Sequence, residues 1–227
     1  SQLRISYDLK PGELGRHGHQ GIVSEGFAVV DGRAWMVPSV PLEAARIRIE
    51  RPHHWSVASR YDETNGWLNI HPLPTGRVSD ELQRACMAFG PFNEERKVVG
   101  ATEVRVFSPR NWTESHQKNL NQKSFALYQW FYDELGYDVG APVAVVWTPM
   151  ADKERIFGGA HGSTNCMEHP EDRLRNWQLL AHRVGHGMNK YVPTGMILGD
   201  QCDLWFTEGF ASYIEIVATA GSGAVRD

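Results

Sequence analysis

The sequence has little of what marks secreted scaffolds or membrane proteins. Its three cysteines, Cys86, Cys166 and Cys202, are too few and too widely spaced for a disulfide framework or a paired-cysteine zinc site. No apolar run approaches the length of a membrane span. The first ten residues also lack the apolar centre of a signal peptide. These absences predict a protein without a membrane span and favour a cytoplasmic location.

Neither positive nor negative charge is in large excess. The 227 residues carry a formal net charge of −4, and the basic residues form no run. We therefore expect neither nucleic acid nor a charged membrane surface as a partner. The hydrophobic share of 41% is ordinary for a soluble protein and can fill a core. The length suits one large domain or two small ones.

Residues 1–108 carry strand and turn signals, with no convincing amphipathic helix among them. Residues 46–50 (RIRIE) alternate polar and apolar side chains, as a half-buried strand does. The Asp31-Gly32 and Asn65-Gly66 pairs stand between apolar runs and predict tight hairpin turns. Residues 98–107 (VVGATEVRVF) predict a further strand or pair of strands. This part is expected to form a β-rich N-terminal domain.

The hydrophobic period changes after Pro109. Before a stop signal at Gly136, apolar side chains recur at helical spacing, at Leu120, Leu127, Phe131 and Leu135. Residues 143–147 (VAVVW) form a continuous apolar run, which is typical of a buried strand. We therefore predict an α+β fold in which a β-rich domain at 1–108 is followed by a mixed domain at 109–227.

Two further helices are predicted near the end of the chain. The first opens at Pro170-Glu171-Asp172, where proline and acids suit the first turn. Its apolar stripe consists of Leu174, Trp177, Ala181, Val184 and Met188. Gly185 and Gly187 each cost this helix roughly 1 kcal/mol relative to alanine, so they predict a tight helix crossing. The second helix covers about residues 204–219, after a capping Asp203.

Two histidines in the first of these helices have the spacing of metal ligands. His182 and His186 lie four residues apart, so both imidazoles project from one helix face toward a common point. Glu208, among the aromatic residues of the next helix, is costly to bury unless it is paired or bound to a metal. Two histidines and a carboxylate with an open fourth position form a catalytic zinc site. A histidine pair alone is more often structural or exposed on a helix, so zinc becomes the predicted cofactor only with the sequence that surrounds the pair.

The surrounding sequence resembles the gluzincin superfamily of zinc peptidases, and most of all its glycyl aminopeptidase family. That family has an HExxH helix, often continuing as W-N-x-K-x-x-x-P, and then a W-x-x-E-G-F-x-S-Y block. A Gly-Gly-x-Glu-His stretch precedes the helix. The matching parts here are GGAH at 158–161, HRVGH at 182–186, Met188-Asn189-Lys190, Pro193 and WFTEGFASY at 205–213. The resemblance is strong over residues 155–217.

The resemblance implies a thermolysin-like second domain and assigns residues to its site. His182, His186 and Glu208 match the zinc ligands. Arg183 stands at the position of the family's general base. The strand that borders the substrate cleft in such enzymes is matched by Gly158, Gly159, Ala160 and His161. A peptide or protein ligand in the cleft is the partner that this match implies.

Three departures from the family pattern bear on activity. Arg183 cannot take a proton from water, because a guanidinium stays protonated at every working pH. The acid that holds the substrate's free amine in related enzymes has no counterpart before His161. The chain also ends before the region where such enzymes usually place a transition-state-stabilising tyrosine. We therefore expect a C-terminally incomplete domain, with a missing C-terminal region of the same protein as a further partner.

Three functions follow from these patterns. The first is an aminopeptidase-like zinc metallopeptidase homologue with impaired proteolysis, which retains a peptide-binding cleft. The second is an active zinc-dependent aminopeptidase or other hydrolase whose base comes from elsewhere, for instance Glu168 or a residue beyond Asp227. The third is a metal-free structural or binding module, in which the histidine pair belongs to the core.

Overall fold

A computed structural model describes residues 22–23, 26–31, 45–70, 86–149, 163–168, 173–189 and 204–225. Within these ranges the strands are β1 Ile22–Val23, β2 Ala28–Asp31, β3 Ala45–Arg48, β4 Ser56–Ala58, β5 Glu63–Thr64, β6 Trp67–Ile70, β7 Cys86–Gly90, β8 Phe92–Val99, β9 Thr102–Pro109, β10 Val143–Pro149 and β11 Ser163–Glu168. The helices are α1 Glu114–Leu135, α2 Arg173–Asn189 and α3 Leu204–Gly221. The predicted α+β class, β-rich first and helical later, is confirmed.

The described strands form three sheets. The central sheet has the order β11-β10-β9-β8. In it β8 and β9 are antiparallel, whereas β9, β10 and β11 run parallel. The earlier strands form a four-stranded sheet, β1-β2-β7-β4, and a three-stranded sheet, β3-β6-β5. Parallel neighbours need a crossover connection, and α1 lies in the one between β9 and β10.

Strand β10 shows why the central sheet lies inside the molecule. Its side chains alternate between two cores, because successive residues of a strand point to opposite faces. Val143, Val145 and Trp147 join the core beneath the helices. Ala144 and Val146 join the core shared with β2, β4 and β7. A strand covered on both faces needs an apolar residue at every position, so the buried strand predicted at 143–147 is confirmed.

The boundary expected at residue 108 does not separate two sheets. Strand β9 crosses that residue and pairs with β8 before it and β10 after it. Phe92 and Phe107 of these strands also pack in one core with Val29 of β2. The change of hydrophobic period after Pro109 marks the step from strand β9 to helix α1. Strand β9 therefore spans the predicted boundary, and the division of the chain into two domains stays a prediction.

Two predicted local signals are confirmed by backbone conformation. Asn65 and Gly66 join β5 to β6 with φ values of 54° and 78°, as a tight hairpin turn requires. Helix α1 begins after Thr113, whose Oγ1 accepts a hydrogen bond from the backbone N–H of His116. It ends at Gly136, with a left-handed φ of 63°. The turn predicted at Asp31-Gly32 extends outside the described residues.

Helices α2 and α3 pack against each other, and their buried sides complete the core above the central sheet. The buried residues are Trp177, Leu180, Ala181 and Val184 of α2 and Ala211, Ile214 and Ala218 of α3. The α2 stripe begins one turn later than predicted, because Leu174 is 45% exposed. None of the described helices combines the length and apolar character that a membrane crossing needs.

Candidate metal centre

Helix α2 presents two imidazoles on the side that faces α3. His182 and His186 lie one turn apart, their ring centroids are 4.6 Å apart, and their planes are nearly perpendicular at 85°. The two side chains are 16% and 18% exposed. The apolar stripe of the same helix, including Ala181 and Val184, turns into the core. The amphipathic pattern of α2 therefore fixes where the histidines point.

Glu208 comes to both histidines from α3. Its Oε2 lies 3.3 Å from Nε2 of His182, and its Oε1 lies 3.5 Å from Nε2 of His186. One ligand atom from each of the three side chains lies within 4.8 Å of the others. Donors bound tetrahedrally to zinc at about 2.1 Å are about 3.4 Å apart. The donor types and their spacing therefore fit a zinc ion, and Glu208, 54% exposed, leaves the site accessible to solvent.

A fourth side chain holds the first histidine in place. Nδ1 of His182 lies 2.9 Å from Oε2 of Glu215, two turns beyond Glu208 on α3. If Nδ1 donates its proton to this carboxylate, the lone pair of Nε2 is directed toward Glu208. Sequence analysis missed Glu215. Its spacing of seven residues from Glu208, on the same face of a helix, is the signal that would have identified it.

The site is possible because the two helices approach closely. A Cβ added to Gly185 would lie 3.3 Å from Cα of Ala211 on α3. Gly185 directly precedes His186, and Ala211 follows Glu208 by three residues. The tight crossing predicted from the α2 glycines is therefore confirmed at Gly185, and it lies beside the ligand cluster.

Burial and neighbouring charges act on His186. Burial lowers the pKa of this imidazole, the nearby Glu208 carboxylate opposes that effect, and the charges of His182 and Arg183 add to it. A lowered pKa keeps the ring neutral, which is the form that binds a metal. The half-buried Arg183 is close enough to influence His186, so its charge belongs to the electrostatics of the site.

The comparisons with known proteins bear on the fold. No protein-family model and no curated protein matches this sequence. A solved structure of an aminopeptidase N family protein from Idiomarina loihiensis is similar over 91% of this chain, with a TM-score of 0.67 and 14% sequence identity. This chain spans 39% of the length of that protein. At such identity the likeness shows a shared, peptidase-like fold.

The other predicted site residues are placed less completely. Gly158, Gly159, Ala160 and His161 lie outside the described residues, so their part in a cleft stays a prediction. Glu168, named as an alternative base, ends β11, and its backbone alone is described. Strand β11 pairs with β10 and forms one edge of the central sheet within the described ranges.

Proposed function

We propose that this chain is an aminopeptidase-like zinc metallopeptidase homologue of the gluzincin type, with a degenerate motif and impaired proteolysis. The observation that carries the proposal is the convergence of His182, His186 and Glu208 on one point from two packed helices. The hydrogen bond between His182 Nδ1 and the Glu215 carboxylate supports it, since metal-binding imidazoles are usually oriented by a carboxylate on the other ring nitrogen. The peptidase-like fold is consistent with it.

In this proposal the four side chains have separate tasks. His182, His186 and Glu208 would hold zinc, and Glu215 would fix the tautomer and orientation of His182. When bound, zinc acts as a Lewis acid that activates water and polarises a carbonyl. The exposed side of Glu208 leaves room for a ligand to reach the centre.

Proton transfer is the task for which the site has no suitable group at the expected position. Arg183 directly follows His182, where related peptidases carry the glutamate that takes a proton from water. A guanidinium cannot accept that proton, and loss of a positioned base typically costs about 10²–10⁴-fold in rate. Glu215 is hydrogen-bonded to His182 and therefore has another role. We infer that zinc binding survives whereas ordinary peptide hydrolysis does not.

The proposed ligand is an extended peptide or a protein segment. Strand β11 lies at one edge of the central sheet in the part of the chain that the structure describes. A peptide can add to such an edge by main-chain hydrogen bonds. The residues that would bring it to the metal, Gly158 to His161, directly precede this strand in sequence. Because no acid stands before His161, a free peptide amine should gain no special affinity.

Metal content and turnover test the proposal together. We expect up to one zinc per chain by elemental analysis after incubation with the ion, and loss of that zinc in His186→Ala. We expect no zinc-dependent turnover of glycyl or alanyl chromogenic substrates. Equal, low metal in wild type and His186→Ala would favour the metal-free module. Clear turnover that depends on zinc would favour an active hydrolase with a base elsewhere.

Peptide binding is tested separately, by calorimetry with a peptide and its N-acetylated form. Similar affinities are expected, because the amine-holding acid is missing. A large loss of affinity on acetylation would contradict the proposed binding mode, since it would reveal an amine anchor that this account lacks.

A further inference from the structure

Two glycines flank His186 on α2, and each lies where a neighbouring element comes close. A Cβ at Gly185 would lie 3.3 Å from Cα of Ala211 and 3.6 Å from Cγ2 of Ile214, both on α3. A Cβ at Gly187 would lie 2.9 Å from the hydroxyl oxygen of Tyr137. Glycine weakens a helix interior relative to alanine. Two such residues around one histidine therefore indicate a packing requirement.

We propose that Gly185 is a positioning residue for the ligand cluster. Its missing side chain lets α2 approach α3 until the donor atoms of His186 and Glu208 are 3.5 Å apart. The proposal rests on the metal centre proposed above. It goes further by assigning the spacing of the ligands to a particular contact between the helices.

The sequence positions explain how the contact reaches the ligands. Gly185 is bonded to His186, and Ala211 lies almost one turn after Glu208. The contact between Gly185 and Ala211 therefore lies within one turn of the ligand residues on both helices. A displacement of one backbone at this point moves the imidazole away from the carboxylate without needing any change in either rotamer.

The two glycines differ in what opposes a side chain. At Gly185 the nearest atom belongs to the α3 backbone, so the helix itself must shift by a few tenths of an ångström. At Gly187 it is the far end of Tyr137, which can rotate aside at smaller cost. Metal sites tolerate errors of about 0.2–0.5 Å in ligand position. Gly185 is therefore the position at which an added methyl group should disturb metal binding.

The test compares Gly185→Ala with Gly209→Ala. Both variants add one methyl group to a helical glycine beside a proposed ligand, but a Cβ at Gly209 has no atom within 4 Å. We expect Gly185→Ala to weaken zinc binding by about 10-fold or more, within the range for groups that orient metal ligands. Gly209→Ala should bind zinc as the wild type does, and Gly187→Ala should show the smaller effect of the α2 pair.

Three measurements separate positioning from a general loss of structure. Calorimetry gives the zinc affinity, and the visible absorption of the cobalt-substituted protein reports the coordination geometry. Thermal unfolding of the metal-free protein shows whether each variant is folded at the temperature of the titration. We expect an altered cobalt spectrum for folded Gly185→Ala and an unaltered one for Gly209→Ala. Gly185→Val, with its larger side chain, should weaken zinc binding further. If the valine variant does not fold, the result for Gly185→Ala alone decides the test.

The outcomes distinguish this inference from the proposed function. Wild type that binds no zinc refutes the metal centre, and with it this role of Gly185. Wild-type affinity and an unaltered cobalt spectrum in folded Gly185→Ala refute the positioning role and leave the metal centre intact. Equal weakening of zinc binding in Gly185→Ala and Gly209→Ala also refutes it, because a methyl group at Gly209 contacts no other atom and should not change the zinc affinity.

Discussion

Removing the carboxylate of Glu215 tests whether the cluster is arranged for metal binding or is only a group of packed polar side chains. Glu215 lies 2.9 Å from Nδ1 of His182, and its own side chain is 26% exposed. Glu215→Gln keeps the length and an acceptor oxygen but removes the charge. Glu215→Ala removes the acceptor altogether, so the imidazole of His182 loses the group that orients it.

The size of the effect follows from the geometry. Side chains that orient a metal-bound histidine are typically worth about 10–100-fold in metal affinity, or roughly 1.4–2.8 kcal/mol at about 1.4 kcal/mol per factor of ten. We expect Glu215→Ala near the upper end, because the bond at 2.9 Å has the normal length of a good hydrogen bond and the histidine is only 16% exposed. Glu215→Gln should lie near the lower end, since a neutral oxygen still accepts from Nδ1.

Zinc titration of metal-free protein by calorimetry is the assay. Glu134→Ala provides the control, because Glu134 is an exposed glutamate on α1, a helix that contributes none of the side chains of the described cluster. It should bind zinc as the wild type does. A Glu215→Ala variant that stays folded and keeps wild-type affinity would refute the reasoning, since the hydrogen bond to His182 would then have no part in holding a metal.

The remaining predictions concern Arg183 and Asp138. Arg183→Ala and Arg183→Glu should both tighten zinc binding, because a unit charge opposes a dication by several kcal/mol at most, at about 5 Å and an effective dielectric of about 20. Neither variant should gain clear turnover, and zinc-dependent wild-type turnover that falls in Arg183→Ala would make Arg183 itself catalytic. Asp138 accepts hydrogen bonds from the N–H of Ala101, the hydroxyl of Thr102 and the N–H of Gly140, which lower its pKa. Its stabilisation is therefore present above the ordinary carboxyl pKa of about 4 and is lost as pH falls through the lowered value. Because Asp138 is exposed and water screens its charge, urea unfolding should show Asp138→Asn to be less stable by only about 0.5 kcal/mol at pH 7 and little different near pH 2, whereas an equal difference at both pH values would contradict this.

What could be predicted from the sequence is what local rules determine. The histidine spacing places both rings on one face of α2, and the structure confirms that His182, His186 and Glu208 lie together. The end of α1 follows from the stop signal at Gly136. The histidine spacing and this helix end depend on neighbours within a few residues, whereas Glu208 was assigned through the family resemblance.

What was missed depends on tertiary structure. Residues 93–97 (NEERK) have little strand propensity, yet they belong to β8, where β9 pairs with them and their exposed charges cover a sheet edge. The sheet that crosses residue 108 was missed for the same reason. The hydrophobic period of a segment indicates a strand or a helix but does not reveal which strands pair. Glu215 was missed since its partner His182 is 33 residues away. An acid on an apolar helix has many possible roles, and only the packing of the second helix against it shows which side chain it contacts.

The charges indicate how the proposed site could lack a base and still hold a metal. Glu208 and Glu215 contribute two negative charges at the cluster, and the half-buried Arg183 contributes one positive charge. Zinc would bring the total from about −1 to about +1, whereas a glutamate at position 183 would leave about −1. The substitution therefore weakens zinc binding without removing a ligand, and it leaves the filled site positive. A positive site favours an anionic group such as a peptide carboxylate, and Arg183 still offers no acceptor for a proton. In the proposed centre, Arg183 would thus weaken metal binding and leave the site without a base, while the three metal ligands remain.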